Sequence, residues 1–416
     1  MLVPKLRFPE FRDAGEWEQK TLRELAKRIT QKNKETEVTR VLTNSAVDGI
    51  VDQRDYFDKD IANQNNLGGY FIVDKGDYVY NPRISNVAPV GPISKNKVGK
   101  GVMSPLYTVF RFKNSNNGFY EQYFKSTHWY QYLRIVSNSG ARHDRMSITN
   151  DDFEEMPLPA LSADEQQKIA NCLSSIDDLI TAHSQKHDTL KDHKKGLMQQ
   201  LFPAEGKTVP KLRFPEFRDA GEWEDKPLGE VATFSKGKGI SKSDVAIDGK
   251  QPCIRYGELY TLYNETIENV SSHTNISANN LVLSKENDVI IPASGETQED
   301  IATASCVINS GIALGGDLNI IRSKMNGVFL SYYLNSAKKK SIAKLSQGIS
   351  VVHLYSSQLE RLDINIPDLP EQQKIADCLS SIDNLITSQA KKIESLKDHK
   401  KGLMHQLFTA TDGVGA

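Results

Sequence analysis

Two long stretches of the chain carry apolar residues every seven positions, with a second apolar row four residues after the first. The earlier stretch has these two rows: Ile169, Ile176, His183, Leu190, Leu197 and Leu173, Ile180, His187, Leu201. The same pattern returns between Ile375 and Leu407. This spacing predicts an apolar seam on a coiled-coil helix. We expect two long helices packed antiparallel across a pseudo-twofold axis, with His183 and His187 as tolerated polar positions rather than metal ligands.

Between and before these stretches the pattern is shorter and mixed. Tyr70–Tyr80 and Leu281–Pro292 alternate apolar and polar residues, which predicts strands joined by turns. Phe119–Val136 and Phe329–Leu345 are rich in aromatic residues and predict helices. The fold class expected is α+β, with two mixed α/β domains separated by the two long helices.

The chain is a tandem repeat with an offset of 206 residues. Val3–Glu18 returns as Val209–Glu224 without a single change. Two further pairs of segments differ at only two positions and one position: Glu165–Thr181 with Glu371–Thr387, and Leu190–Phe202 with Leu396–Phe408. Repetition at a fixed period determines the architecture.

The interiors of the two repeats share little sequence. A faint similarity at an offset of 211 joins Gly76–Arg83 to Asn287–Ser294, and Thr108–Phe112 to Asn319–Ser323. We interpret this as one fold carrying two surfaces: the identical ends bind the same partner twice, and the divergent interiors bind two targets. A recent duplication with drifting loops explains the pattern less well, because whole domains differ.

These boundaries follow from the repeat: a leader at 1–18, a domain at 19–160, a spacer helix at 161–202, a linker and second leader at 203–224, a domain at 225–366, a second spacer helix at 367–408, and a tail at 409–416. Trp17 and Trp223 are expected to anchor the leaders to the domains.

Composition indicates a globular protein but gives little support for nucleic-acid binding. Of 416 residues, 38% are hydrophobic and 25% charged, with a net charge of −1. Residues 19–157 hold 20 basic against 16 acidic residues, and residues 225–366 hold 14 against 15. A surplus in the first domain alone favours a DNA partner only weakly.

The four cysteines lack the spacing of a zinc site. Free thiols in a reducing cytoplasm are the simplest interpretation, with Cys172 and Cys378 packed on the helical seam. No signal-peptide core and no stretch of about 20 apolar residues is present, so no membrane association is expected.

Catalytic motifs are incomplete. Lys236–Ser243 lacks the glycine before the lysine of a phosphate-binding loop, and Asn81–Ile84 lacks the second proline and the aromatic residue of an amino-methyltransferase motif. With no metalloprotease or hydrolase motif either, a binding role is favoured.

Two segments carry a family resemblance: Leu158–Asp177 and Pro367–Asp383, each leading into a helix that ends KKGLMxQLF. With the PKLRFPEF leaders and Pro292–Ala302, they closely resemble the specificity subunits of Type I restriction–modification systems. The resemblance implies a protein that is not itself an enzyme. Each interior would be a target recognition domain for one half of a split double-stranded DNA site, and the helices would be the spacer.

The resemblance also implies partners. Two modification subunits would dock on the repeated regions and methylate adenine, and two restriction subunits would complete the complex. S-adenosylmethionine, ATP and Mg²⁺ would belong to those subunits. Since the interiors differ, the half-sites should differ; the helix length of roughly 58 Å limits their separation to about 17 base pairs, with about 5–8 expected.

Base reading requires Arg, Lys, Asn, Gln and small hydroxyls on loops beside strands. The base contacts expected in the first domain are Asn81, Arg83, Ser85, Asn86, Arg142, His143 and Arg145. Those expected in the second are Ser294, Glu296, Thr297, Gln298, Gln347, Ser350 and His353. The expected phosphate contacts are Lys95, Lys97 and Lys100 in the first domain and Lys236, Lys238 and Lys242 in the second.

Two other functions are compatible with the sequence. The chain could be a coiled-coil scaffold whose two domains bind proteins, which the near-neutral charge permits. It could also be a DNA enzyme acting alone, which predicts methyl transfer or cleavage without partners.

Overall fold

The computed structural model describes residues 2–56, 64–137, 144–348 and 351–409. The chain divides into two compact units: unit 1 comprises residues 1–183 and 391–416, and unit 2 comprises residues 184–390. Each unit therefore combines the interior of one repeat with the end of the other repeat's long helix.

Unit 1 contains ten strands and five short helices within its described residues, together with parts of two long helices. The strands are β1 (Glu18–Thr21), β2 (Ala26–Arg28), β3 (Leu42–Ser45), β4 (Gly49–Asp52), β5 (Phe71–Val73), β6 (Tyr78–Tyr80), β7 (Ile93–Lys95), β8 (Gly101–Met103), β9 (Thr108–Phe112) and β10 (Pro157–Ala160). The helices are α1 (Leu22–Leu25), α2 (Gln53–Tyr56), α3 (Gly118–Phe124), α4 (Tyr130–Val136), α5 (Asn150–Glu154) and the first part of α6 (Ala163–Leu201).

An antiparallel sheet of order β2-β9-β6-β7 forms the centre of unit 1. Tyr78 in β6 lies between Phe110 of β9 and Lys95 of β7. Its buried ring stacks on Phe110, with centroids 5.5 Å apart, and meets Phe124 of α3 edge to face. Aromatic burial of this kind stabilises the sheet against the helices.

Unit 2 has the same plan with more strands. They are β11 (Glu224–Pro227), β12 (Ala232–Lys236), β13 (Gln251–Ile254), β14 (Thr266–Ile267), β15 (Ser272–Thr274), β16 (Val282–Leu283), β17 (Asp288–Pro292), β18 (Ser294–Gly295), β19 (Ser305–Val307), β20 (Ala313–Leu314), β21 (Leu318–Ser323), β22 (Val352–His353) and β23 (Asp363–Ile366). The helices are α7 (Leu228–Val231), α8 (Tyr256–Thr261), α9 (Gln298–Ile301), α10 (Gly327–Ser336), α11 (Lys339–Leu345), α12 (Ser356–Leu359) and α13 (Leu369–Leu407), which ends in unit 1.

The weak similarity at an offset of 211 marks equivalent strands. In unit 2 the sheet order is β12-β21-β17-β19-β14, so β17 pairs with β21 as β6 pairs with β9 in unit 1. The mixed α+β prediction is confirmed. Each predicted aromatic helix is two helices, α3 with α4 and α10 with α11. At the first break the Ser126 hydroxyl donates to the Tyr123 carbonyl at 2.6 Å.

The two predicted long helices are confirmed, each 39 residues long. In unit 1, Ile169 and Leu173 of α6 share a core with Met404 and Leu407 of α13. In unit 2, Ile375 and Leu379 of α13 share a core with Met198 and Leu201 of α6. The start of one helix thus packs beside the end of the other, which is the expected antiparallel arrangement.

The leaders are anchored as predicted from Trp17 and Trp223. Both indoles are buried and meet a phenylalanine, Phe119 and Phe329, at 5.9 and 5.8 Å between ring centroids. A buried bidentate ion pair adds to each contact, Arg7 with Glu165 in unit 1 and Arg213 with Glu371 in unit 2.

The four cysteines carry free thiols; Cys253 and Cys306 are buried, while Cys172 and Cys378 are partly buried on the long helices. No cluster of His, Cys, Asp and Glu with metal-site geometry occurs in the part of the chain that the structure describes. Across the same ranges, no helix combines the length and hydrophobicity needed to cross a bilayer.

Candidate nucleic-acid interface

Asn81 holds the backbone of the loop that follows β6 in place. It is only 8% exposed, and both ends of its amide are used: Nδ2 donates to the Asn44 carbonyl at 2.9 Å, and Oδ1 accepts from the Arg83 N–H at 3.0 Å. Gly91 packs against the start of the loop with φ +81°, and a Cβ there would lie 2.1 Å from the Asn81 carbonyl oxygen. Asn81 therefore shapes the loop rather than facing outward.

Arg83, Ser85 and Asn86 lie beyond Asn81 and are all exposed. Ser85 closes a tight turn with Ala88, through two backbone hydrogen bonds of 3.0 and 3.2 Å. No hydrogen bond or ion pair joins the Arg83 guanidinium to any residue within the described ranges. The loop thus presents a free cation and two small polar side chains to solvent.

Arg145 lies directly opposite Arg83. The two residues form an antiparallel bridge, flanked by hydrogen bonds from Ile84 N–H to the Asp144 carbonyl at 3.1 Å and from Met146 N–H to the Pro82 carbonyl at 2.9 Å. Directly opposite residues share one face and repel when both are charged alike. An exposed ion pair of Arg145 with its neighbour Asp144, at 3.2 Å, offsets only part of this.

A cleft of about 280 Å³ adjoins this bridge and holds a third guanidinium. Its lining includes Arg28 at the end of β2, Tyr107, Arg145 and Asn150. The buried Nε of Arg28 has no hydrogen-bond partner among the described residues, and Glu154 is 4.0 Å away. Sequence reasoning missed Arg28, because only strand pairing brings it to this cleft.

The equivalent place in unit 2 carries polar side chains other than arginine. Ser294 of β18 pairs with His353 of β22, and Gln347 pairs with His353 through hydrogen bonds of 3.0 and 2.8 Å. Gln347 and His353 are exposed, while Ser294 is 9% exposed. Glycine is required directly after Gln347, because Gly348 has a φ of +132° and a Cβ there would lie 2.0 Å from the Val351 carbonyl oxygen.

Lys236 joins this second cluster through an aromatic residue that sequence reasoning missed. The Tyr355 ring stacks on His353 at 6.4 Å, and the Lys236 ammonium lies 5.7 Å from the Tyr355 ring centroid. Tyr355 is 47% exposed. Its position two residues after His353, on the same face, was the available signal.

Glu296, Thr297 and Gln298 continue from β18 and are exposed. The Thr297 hydroxyl caps α9, accepting from Asp300 N–H at 3.1 Å and donating to the Asp300 carboxylate at 2.7 Å. Glu296 and Gln298 flank this cap, and neither side chain forms a hydrogen bond with another described residue.

The first-domain lysines lie away from the Arg83 loop. Lys95 pairs with Tyr78 at the start of β6, whereas the loop follows the end of that strand. Burial lowers the pKa of the Lys95 ammonium, which lies 5.8 Å from the Tyr78 ring centroid. Lys97 pairs with Glu121 at 2.6 Å, and Lys100 is exposed.

In the second domain Lys238 and Lys242 are exposed beyond the end of β12. Lys238 N–H donates to the Leu314 carbonyl at 2.9 Å, which holds that segment on β20. Arg142, His143 and Ser350 lie outside the described residues.

An ion pair with a buried aspartate lies at the start of the central strand in each unit, at the opposite end from the candidate contact loop. In unit 1, Arg111 Nε donates to Asp77 Oδ1 at 2.5 Å; in unit 2, Arg322 Nε donates to Asp288 Oδ1 at 2.8 Å. These pairs share the offset of 211, and hydrogen bonding to the aspartate raises the pKa of each arginine. The weak sequence similarity contained all four residues, but no sequence pattern showed that they pair.

The comparisons with known proteins agree with this geometry. A family model described as the Type I restriction modification DNA specificity domain matches residues 14–192 and again 220–398. The Type I restriction enzyme MjaVIII specificity subunit of Methanocaldococcus jannaschii is 28% identical over 369 residues, covering 83% of this chain and 76% of that one. The putative MjaX specificity subunit of the same organism is 27% identical over 322 residues, covering 76% and 69%.

Two solved structures share the fold at 14% sequence identity. The Type I restriction–modification S subunit from M. genitalium superposes with a TM-score of 0.55 and covers 99% of this chain and 100% of its own. A chain from a study of complex assembly and conformational transition of the Type I system gives 0.56, covering 95% and 98%. With the family model matching both repeats, the chain belongs to the DNA specificity subunits of Type I restriction–modification systems, the non-catalytic components of these complexes.

Proposed function

We propose that the two domains, residues 19–160 and 225–366, read the two halves of one split DNA site, and that the halves differ in sequence. One observation carries this: equivalent places on one framework present Arg83 opposite Arg145 in the first domain and Ser294 opposite His353 in the second. Side chains of different hydrogen-bonding type select different bases.

Base contacts are assigned to the exposed members of each cluster. In the first domain these are Arg83, Ser85 and Asn86, joined by the partly buried Arg145, with Asn81 holding the loop in place. In the second they are Gln347, His353, Glu296 and Gln298, with Ser294 and Thr297 at the edge of the surface. Arg142, His143 and Ser350 remain proposed readers next to these groups in sequence.

Phosphate contacts are assigned to lysines from their positions relative to these two clusters. Lys236 lies beside the second cluster through Tyr355, and Lys238 and Lys242 extend from the same strand. Lys95, Lys97 and Lys100 lie toward the other end of β6, where they would contact backbone outside the bases read by Arg83.

Repeated exposed apolar residues support docking of two copies of one partner. Three exposed apolar side chains of the first repeat recur as exposed, identical residues 206 positions later: Val3 with Val209, Leu6 with Leu212, and Leu179 with Leu385. Apolar patches repeated in this way mark protein contacts. We assign them to two modification subunits, with two restriction subunits completing the complex and S-adenosylmethionine, ATP and Mg²⁺ bound by those subunits.

Methylation mapping tests the proposal. The chain would be produced with its cognate modification subunits in a host without DNA methylation, and the methylated adenines would be sequenced. The proposal expects one split, non-palindromic motif with a methylated adenine in each half. A stable complex that adds no methylation contradicts it and favours a protein scaffold.

A further inference from the structure

The surface that the first domain would present to DNA is built around guanidinium groups, and the corresponding surface of the second domain is not. Arg83 is exposed, and none of the described residues binds its guanidinium. Arg145 lies opposite it on the bridge, and Arg28 lines the adjoining cleft. Two like charges held opposite each other cost free energy in the free protein. A ligand with strong hydrogen-bond acceptors offsets that cost.

The backbone that carries Arg83 is fixed before any ligand arrives. The side-chain oxygen of Asn81 accepts a hydrogen bond from the Arg83 N–H, and the bridge to Arg145 fixes the other side of the segment. A guanidinium on a rigid loop loses less conformational entropy on binding, which favours specific recognition over loose attraction to charge.

The second domain has no equivalent group at these positions. Ser294 and His353 replace Arg83 and Arg145, and Phe234 takes the place of Arg28 on the corresponding strand. Of this domain's three arginines, two are in ion pairs, Arg255 with Glu258 at 3.0 Å and Arg322 with Asp288 at 2.8 Å. The third, Arg361, is exposed but lies between α12 and β23, outside this cluster.

We infer that the half-site read by the first domain contains guanine, recognised in the major groove by Arg83 with Arg145, and that the half-site read by the second domain is recognised without arginine. Guanine presents two acceptors, O6 and N7, that match the two parallel N–H donors of a guanidinium. The inference rests on the proposed function, since it assumes that each domain reads one half-site.

Arg83→Gln tests the inference in the assembled complex with the modification subunits. Once the wild-type motif is mapped, DNA libraries randomised in one half at a time would be selected by methylation. We expect a guanine in one half of the wild-type motif, and a loss of preference for it of roughly 10- to 100-fold in the variant. The other half stays unchanged.

Two further variants separate specific reading from charge. Arg83→Lys keeps the positive charge but cannot form the paired contact, so it should also lose the guanine preference. Arg134→Gln removes an exposed arginine on α4 of the same domain and should leave both halves unaltered.

Three results would overturn the inference while leaving the split-site proposal intact. They are a wild-type motif with no guanine in the half that Arg83→Gln affects, an equal weakening of all sequences by that variant, and full guanine preference in Arg83→Lys. Equal weakening would identify a phosphate contact. Absence of any split motif would instead remove the proposed function itself.

Discussion

Lys400 Nζ lies 2.6 Å from Asp177 Oδ1, and the same contact recurs in unit 2, where Lys194 Nζ lies 2.8 Å from Asp383 Oδ1. Each pair joins the end of one long helix to the start of the other. The two lysines are 206 residues apart in the sequence, and so are the two aspartates. Their surroundings differ. Lys125 and Gln122 also bind Asp177, whereas Lys194 also binds Glu265 and Asp383 accepts from the Tyr332 hydroxyl.

Lys194→Met should destabilise unit 2 more than Lys400→Met destabilises unit 1. Lys194 is the cation shared by two mostly buried carboxylates, so its loss should lower the free energy of unfolding by about 2–4 kcal/mol. Asp177 keeps Lys125 at 3.0 Å, and we expect about half that effect. Chemical denaturation gives the totals, and hydrogen exchange assigns them to a unit. Equal effects of the two variants would contradict the difference in surroundings.

The pKa of Asp177 leads us to expect that unit 1 loses stability in acid. Burial would raise the pKa of its carboxyl, but hydrogen bonds and charge from Lys400 and Lys125 outweigh burial and leave that pKa lowered. A lowered folded-state pKa stabilises the fold above the ordinary carboxyl pKa of about 4, and this contribution disappears as the pH falls through the lowered value.

Asp177→Asn should therefore reduce stability at neutral pH and flatten its decline below about pH 4. Asp178→Asn, at an exposed position on the same helix, is the control and should leave the curve unchanged. Thermal unfolding measured from pH 3 to pH 7 compares them. A curve for Asp177→Asn parallel to that of the wild type would rule out the pair as its source.

The ion pair at the start of each central strand should matter for stability. Asp288 is 2% exposed, and besides pairing with Arg322 its carboxylate accepts from Lys285 N–H at 2.8 Å. Asp288→Ala leaves the partly buried Arg322 guanidinium with only the Leu283 carbonyl as a partner, and we expect a loss of about 2–3 kcal/mol. Asp77→Ala should cost less in the first domain, because Arg111 is more exposed and keeps Asp74 as a partner at 2.8 Å.

The double variant Asp288→Ala, Arg322→Met provides the control for that prediction. It removes both charges, so it should recover part of the stability lost in Asp288→Ala. If the double variant is as unstable as the sum of the single variants, the pair has no coupling and the prediction fails.

The contacts between the leaders and the ends of the long helices lead us to expect that a circularly permuted chain folds. Leu6 N–H donates to the Gln406 carbonyl at 3.0 Å in unit 1, just as Leu212 N–H donates to the Gln200 carbonyl at 2.9 Å in unit 2. In unit 2 a short segment connects these two partners directly. A similar segment from residue 409 to residue 2, with a new start at Lys207 in an exposed turn, should preserve the fold.

Circular dichroism and the methylated motif of the permuted chain would check this, with a chain cut inside α13 at Lys391 as the matched control. The permuted chain should keep the wild-type motif, and the control should lose it. Failure of the permuted chain to fold would show that the leader contact in unit 1 does not substitute for a peptide connection.

Local patterns predicted the periodic elements but not the registers between them. The heptads around Ile169 and Ile375 predicted two helices because a helical face depends only on spacing along the chain. The weak similarity between Gly76–Arg83 and Asn287–Ser294 likewise placed equivalent strands. Pairing between distant strands brings Arg28 beside Arg145 and Lys236 beside Tyr355, and it separates Lys95 from Arg83. No spacing in the sequence contains that information.

The central claim is that each domain reads its own half-site, and exchanging a domain tests it most directly. Residues 225–366 would be replaced by a second copy of residues 19–160, and the methylated motif of the resulting complex would be sequenced beside that of the wild type. Because the chain is a tandem repeat, we expect two identical readers to convert the asymmetric motif into an inverted repeat of the first half-site. An assembled complex that still methylates the wild-type motif would contradict the claim.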